Sequence, residues 1–171
     1  MRTIRRWNAQ EPVNQQKEEK NMKTSVNANG LCNMCILVPD IEKAAAAWAD
    51  LLGIEKPEIR RMHLEGGENY KYRGQPVSCD LKVCNIPMNG FVLELHQPVG
   101  GDSTFSEYMR KHGYGLHHMS FEVGGKRDAV VAEMMESGYE MRTIGIYPGS
   151  SWTVMDTEET LGVNVSIKPV R

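Results

Sequence analysis

The chain has 171 residues, 40% hydrophobic and 25% charged, which is enough for one buried core and within the range of a single domain. Its 22 acidic and 20 basic residues are interspersed and leave a net charge of −2, so no polyanion partner is indicated and nucleic-acid binding is not expected. No run of 18 apolar residues is present to span a membrane, and the basic start from Met1 to Asn8 lacks the apolar stretch of a secretory signal, so a cytoplasmic protein is expected.

Residues 1–29 are polar and aperiodic and are expected to form a flexible tail, with Met22-Lys23 a candidate second start. Residues 30–171 are expected to form one domain. Leu31 to Val38 is an apolar run ending at Pro39, as a buried strand would. Asp40 can cap a helix over 41–52, where the Ala-rich stretch from Ala44 to Leu52 has high helix propensity and Gly53 is a natural stop. Strands are predicted at 58–64, 79–86 and 91–97. Thr104-Phe105-Ser106-Glu107 has capping-box spacing and opens a short helix that Gly113 closes. Leu116 to Val123 is the next strand and Lys126 to Ser137 the next helix. Strands at 139–146, 151–156 and 162–168 finish the chain.

The four cysteines are Cys32, Cys35, Cys79 and Cys84, and without an export signal free thiols are expected. Cys32 and Cys35 have C-x-x-C spacing. Residues i and i+3 of a strand point to opposite faces, so the pair is not expected to share a metal, and both are taken as small apolar fillers.

Asn33 to Val38 can be laid over His118 to Val123 at an offset of 85 residues. The same offset sets Ala44 over Ala129, Ala47 over Ala132, Gly53 over Gly138 and Glu55 over Glu140. A strand, a helix and a glycine stop recurring in phase indicate two copies of one βαβββ unit, about 30–98 and 115–168. The expected fold is α+β: two βαβββ modules forming a curved eight-stranded mixed sheet around one cavity. Strand alternation then sorts the candidates for the concave face. Asn33, Cys35 and Leu37 share a face, as do Glu94 and His96, and as do His118, Ser120 and Glu122, while His117 is expected to point away. Ser166 alternates with Val165 and Ile167. Glu94 lies among Val92, Leu93 and Leu95, where a carboxylate is costly without a partner.

Leu93-Glu94-Leu95-His96-Gln97-Pro98, followed by Gly115-Leu116-His117-His118-Met119-Ser120-Phe121-Glu122-Val123, resembles the methylmalonyl-CoA epimerase and glyoxalase I branch of the vicinal-oxygen-chelate superfamily, the glyoxalase, bleomycin-resistance and dioxygenase fold. The resemblance covers residues 31–168. It implies a divalent metal (Ni, Co, Zn, Mn or Fe) held by four side chains, typically His, Glu or Gln, His and Glu from four strands. Carried over by position, Glu94 and His118 match. Asn33 stands where the first His is expected and Ser166 where the last Glu is expected. Asn is a weak neutral donor to a transition metal and a Ser hydroxyl weaker still, so the metal site is expected to be degenerate, with His96 able to join Glu94 from the same strand face.

The resemblance implies an isomerase or lyase acting on a small carbonyl or acyl thioester. Glu94 and His118 would be its catalytic residues, as metal ligands or as base and acid, with Asn33, Cys35, Ser120 and Ser166 lining the cavity. Without a metal, Asn33 and Ser166 are the hydrogen-bond donors available to an enolate. The alternative is a non-catalytic drug- or metabolite-binding protein of the bleomycin-resistance type. An extradiol dioxygenase needs two His and a Glu on iron, which Ser166 disfavours. The resemblance also implies a homodimer, and exposed sheet edges give a physical reason for it. Light scattering at micromolar concentration is expected to return twice the chain mass, and a monomer there contradicts the assignment.

Overall fold

The computed structural model describes residues 26–170. The tail expected over 1–29 lies outside them except at its end, where Val26 packs against a core cluster and Asn27 caps a short 3-10 turn, Ala28–Gly30. The elements that follow are β1 (Leu31–Leu37), α1 (Ile41–Leu52), β2 (Ile59–Leu64), β3 (Tyr70–Tyr72), β4 (Gln75–Pro76), β5 (Cys79–Pro87), β6 (Val92–Gly101), α2 (Thr104–His112), β7 (Gly115–Glu122), α3 (Arg127–Glu136), β8 (Met141–Tyr147), β9 (Ser150–Met155), α4 (Glu158–Leu161) and β10 (Asn164–Lys168).

The strands form one curled mixed sheet in the order β2-β5-β6-β1-β7-β10-β9-β8-β3-β4. At its centre β1 and β7 run antiparallel, with β6 parallel to β1 on one side and β10 parallel to β7 on the other. The apolar residues of each strand that alternate away from the cavity meet a helix. Leu93, Leu95, Cys84 and Ile86 pack against Ile41 and Ala45 of α1. Val165, Ile167 and Met155 pack against Val130, Val131 and Met134 of α3. α1 begins at Asp40, whose carboxylate accepts the Lys43 N–H at 3.1 Å, and ends at Gly53 in the left-handed region (φ 64°).

The register of β1 on β7 carries the signature of a two-fold repeat. Asn33 pairs with Ser120 and Cys35 with His118, which is how two copies offset by 85 residues pair across an axis between them. The irregularities repeat as well. One extra residue is accommodated between Leu31 and Asn33 on β1, and one at the step from His118 to Leu116 on β7, so Cys32 and His117 occupy equivalent bulges. A bulge turns its extra side chain to the same side as its neighbour's. That corrects the expectation for His117, which lies on the same side of β7 as His118, with their Nδ1 atoms 2.7 Å apart.

Among the described residues the sheet has ten strands rather than eight. The additional pair, β3 and β4, lies between β2 at one edge and β5 beside it, yet β3 pairs with β8 at the far edge. The chain from 65 to 78 therefore crosses the open side of the curl and returns. Three- and two-residue strands show no hydrophobic period, which is why the alternation pattern missed them. Their turn places Arg73 (φ 48°) and Gly74 (φ 75°) both at positive φ, the arrangement of a two-residue hairpin matched to strand twist.

This crossing hairpin is fastened to α2. Tyr72 Oη donates to Glu107 Oε2 and Arg73 Nη2 to Glu107 Oε1 at 2.7 Å. Glu107 was expected to close a capping box with Thr104. Instead Ser103 is the cap and Ser106 its reciprocal partner, because Thr104 and Glu107 are committed to tertiary bonds. Burial pulls the Glu107 carboxyl up, but Arg73 and Tyr72 outweigh it and hold the group below the usual carboxylate range. The folded value lies below the unfolded one, so the contribution is full above about pH 4.3 and is lost as pH falls through the lower folded value. Glu107→Gln is expected to remove about 1 kcal/mol at pH 7, roughly 2–4 °C in melting temperature, with the difference from wild type vanishing in acid. Equal melting temperatures at pH 7 would show that the hairpin is held otherwise.

Candidate active site

The concave side of the sheet encloses a cavity of about 590 Å³, the size of a small-ligand site. Leu81, Val83, Tyr70, Phe105 and Trp152 give it apolar and aromatic walls, with Arg60, His63 and Glu65 also on the lining. Gly145 is required for this shape, since a Cβ there would lie 2.4 Å from the Trp152 indole nitrogen. Asn85, Glu94, Tyr147 and Lys168 also line an adjoining lobe that reaches Cys32 and Asn33.

Glu94 and His96 project from β6 on the concave side, as alternation required, because Leu93 and Leu95 are claimed by α1. His96 Nε2 lies 3.7 Å from Glu94 Oε2. On the other side of the carboxylate, Lys168 Nζ lies 3.7 Å from Glu94 Oε1. Lys168 shares the face of Asn164 and Ser166 on β10, and its side chain is 13% exposed against 17% for Glu94. Sequence reasoning missed Lys168, although its parity with Ser166 in the alternation already pointed it at the cavity.

His118 stands on the same cavity wall through the β7 bulge. Its Nδ1 meets His117 Nδ1, and His117 Nε2 meets Thr104 Oγ1 at 3.1 Å, so in the chain Thr104–His117–His118 it is the Nδ1 of His118 that is engaged. Burial, with His96 and Arg142 nearby, pulls His117 down to about 3. Burial, then His117, His96 and Lys168, pull His118 well below its usual value, and burial lowers His96 against the opposing pull of Glu94. All three imidazoles are therefore neutral at pH 7. A neutral imidazole has one donor and one acceptor nitrogen, so the direction of the His117–His118 bond decides whether His118 Nε2 donates or accepts.

The four positions of the expected metal quartet are only partly assembled. Asn33 lines the adjoining lobe, with its Oδ1 accepting from Cys32 Sγ at 3.3 Å and its Nδ2 buried without a partner. Ser120 and Ser166 are fully buried beside it, in register with each other, and their hydroxyls also lack partners. Among the described residues, the groups of three donors close enough for one cation run through Cys35 instead: Cys35 with His117 and His118, and Cys35 with Glu94 and His96. Glu94 and His118 are not in a common group. Burial and then Glu94 push the Cys35 thiol well up, so it is a protonated core group against Leu37 and Phe105. With one carboxylate already facing an ammonium and two neutral side chains at the other positions, the residues present do not fit the implied quartet.

Residues 32–155 match the model of the Glyoxalase/Bleomycin resistance protein/Dioxygenase superfamily. The mitochondrial methylmalonyl-CoA epimerase of Homo sapiens is 28% identical over 106 residues, 61% of this chain and 52% of that protein, and that of Mus musculus is 26% identical over 102 residues, 59% and 49%. The chain thus spans about half the length of the curated relatives it matches. Among solved structures, a hypothetical protein from Bacillus halodurans superposes with a TM-score of 0.53 at 17% identity, covering 81% of this chain and 91% of that one. The methylmalonyl-CoA epimerase of Mycobacterium tuberculosis superposes with a TM-score of 0.51 at 18% identity, covering 83% and 88%. These likenesses show the curled-sheet fold, and the match of the family model over residues 32–155 shows that the chain belongs to the glyoxalase/bleomycin resistance protein/dioxygenase superfamily.

Proposed function

We propose that this chain is an isomerase of the epimerase type that binds a small acyl thioester or related carbonyl compound in its concave cavity and moves a proton at the carbon beside the carbonyl. The observation that carries the reading is the placement of Glu94 and His118, a carboxylate and a neutral imidazole, on the lining of one cavity. The Glu94 carboxylate takes the proton, and the electron pair moves to the carbonyl oxygen to give a planar enolate. His118 Nε2, when it carries the hydrogen, donates to an oxygen on that wall. Return of the proton from Glu94 restores the original configuration, and delivery of a solvent proton to the opposite face of the enolate inverts it. The similarity to methylmalonyl-CoA epimerases supports a thioester substrate over a free carbonyl compound.

The reading is tested by solvent deuterium incorporation into a panel of acyl-CoA thioesters that includes methylmalonyl-CoA and propionyl-CoA, followed by mass spectrometry. The expected result is a gain of one mass unit in at least one of them at a catalytic rate. The aromatic faces of Tyr70, Phe105 and Trp152 favour the other reading, a protein that holds a planar molecule without turnover. Tight binding of a thioester or an aromatic drug with no exchange in any thioester would establish it instead.

A further inference from the structure

The residue that the proton-transfer reading leaves unused is Lys168. It ends β10, two positions after Ser166 and on the same face, so it is carried into the cavity by the strand expected to deliver the last metal-binding carboxylate. By the repeat it is the counterpart of His96: β6 lies on β1 as β10 lies on β7, with Glu94 and Ser166 in matching places. Glu94 thus stands between two groups, His96 on one oxygen and Lys168 on the other, each 3.7 Å away. Of these, Lys168 brings an ammonium group, and its side chain is 13% exposed against 17% for Glu94. The separation is an ion-pair distance too long for a hydrogen bond, so the ammonium hydrogens are not spent on Glu94.

We propose that Lys168 is a catalytic residue and the anion-binding group of this cavity, supplying as an ammonium the positive charge that four ligands and a metal would otherwise supply. This rests on the proton-transfer reading above. At rest Glu94 is the anion and Lys168 its counter-ion. When the proton passes from the substrate carbon to Glu94, the carboxyl becomes neutral and the negative charge appears on the carbonyl oxygen. Lys168 keeps all its protons and changes partner, from carboxylate to enolate oxygen, so the net charge of the cavity is the same before and after the step. A preset charge that need not reorganise is the effective form of transition-state stabilisation. A cation bound to Glu94 would face that ammonium across the same carboxylate and be repelled by it, so the two arrangements compete.

The test uses the full chain after treatment with a strong chelator, with oxalate as a planar dianionic mimic of an enolate. Calorimetry is expected to show oxalate binding at least tenfold tighter to Glu94→Gln than to wild type, because the neutral amide resembles the protonated carboxyl and leaves the charge of Lys168 unshared. Adding Lys168→Met to that variant is expected to weaken oxalate at least thirtyfold, while Lys168→Arg stays within about fivefold of Glu94→Gln. Circular dichroism and melting of each variant confirm the fold. In the exchange assay, chelation is expected to leave the wild type unchanged and Lys168→Met to lose at least a hundredfold. Oxalate that binds the double variant as well as it binds Glu94→Gln overturns the proposal, as does the absence of oxalate binding to any form. Exchange abolished by the chelator and restored by a divalent ion overturns it too. If no thioester exchanges but the oxalate pattern holds, the anion site stands and the proton-transfer reading falls.

Discussion

Glu94→Gln is expected to lower the rate of solvent proton exchange into the substrate by about a thousandfold, since a positioned general base contributes typically 10²–10⁴-fold. The replacement keeps the size and shape of the side chain, and an amide can still face His96 and Lys168. What it cannot do is hold a proton in the working pH range. The fold should survive, because Leu93 and Leu95 on either side still pack against α1 and the strand keeps its parallel register on β1. Both side chains are largely shielded, 17% and 13% exposed, so leaving Lys168 without its counter-ion is expected to lower stability by about 3 kcal/mol. Exchange measured by mass spectrometry alongside a melting curve separates the two effects. A variant that stays folded and exchanges at the wild-type rate would remove Glu94 from the chemistry.

The second large effect concerns metal. Asn33→His combined with Ser166→Glu restores the donor types of the family pattern at the positions the repeat makes equivalent to His118 and Glu94. Even a partner outside the ligand shell is worth about 10–100-fold in metal affinity, so two added ligands are expected to raise affinity for zinc, cobalt, nickel or manganese by more than a hundredfold. Lys168 remains a competitor for Glu94 in that variant, so adding Lys168→Met should strengthen binding again. Elemental analysis after equilibrium dialysis reads both steps. Stoichiometric metal already present in the wild type would show that Asn33 and Ser166 do not prevent metal binding, and no gain in either variant would show that the cavity has diverged beyond two ligands.

Most of what is periodic in the chain was legible before folding. α1 spans the residues expected of it, since Asp40 and Gly53 act within one turn of the helix and need nothing distant. The alternation in Val92-Leu93-Glu94-Leu95-His96 placed Glu94 and His96 together because apolar neighbours on both sides had to face a helix. The 85-residue repeat was visible as a pattern of types and returned as a two-fold register. Glu94 and His118, expected on the concave face, line one cavity, while Ser120 and Ser166, expected beside them, are fully buried, because alternation gives a face but not a depth.

By itself the sequence determined the longer strands and the three longer helices, how the two halves correspond, and that a carboxylate and a histidine face inward, all consequences of local period and capping. Only the tertiary structure decided the rest. The hairpin of β3 and β4 owes its existence to pairing with β8 across some seventy residues of chain, which no local period encodes. Thr104 and Glu107 gave up the helix cap to bonds with His117 and Tyr72, so that Ser103 took it. The bulge that turned His117 beside His118 is a property of two strands meeting, invisible in either alone. Lys168 found Glu94 for the same reason: the two are 74 residues apart, and what joins them is the curl of a sheet whose halves fold over one cavity.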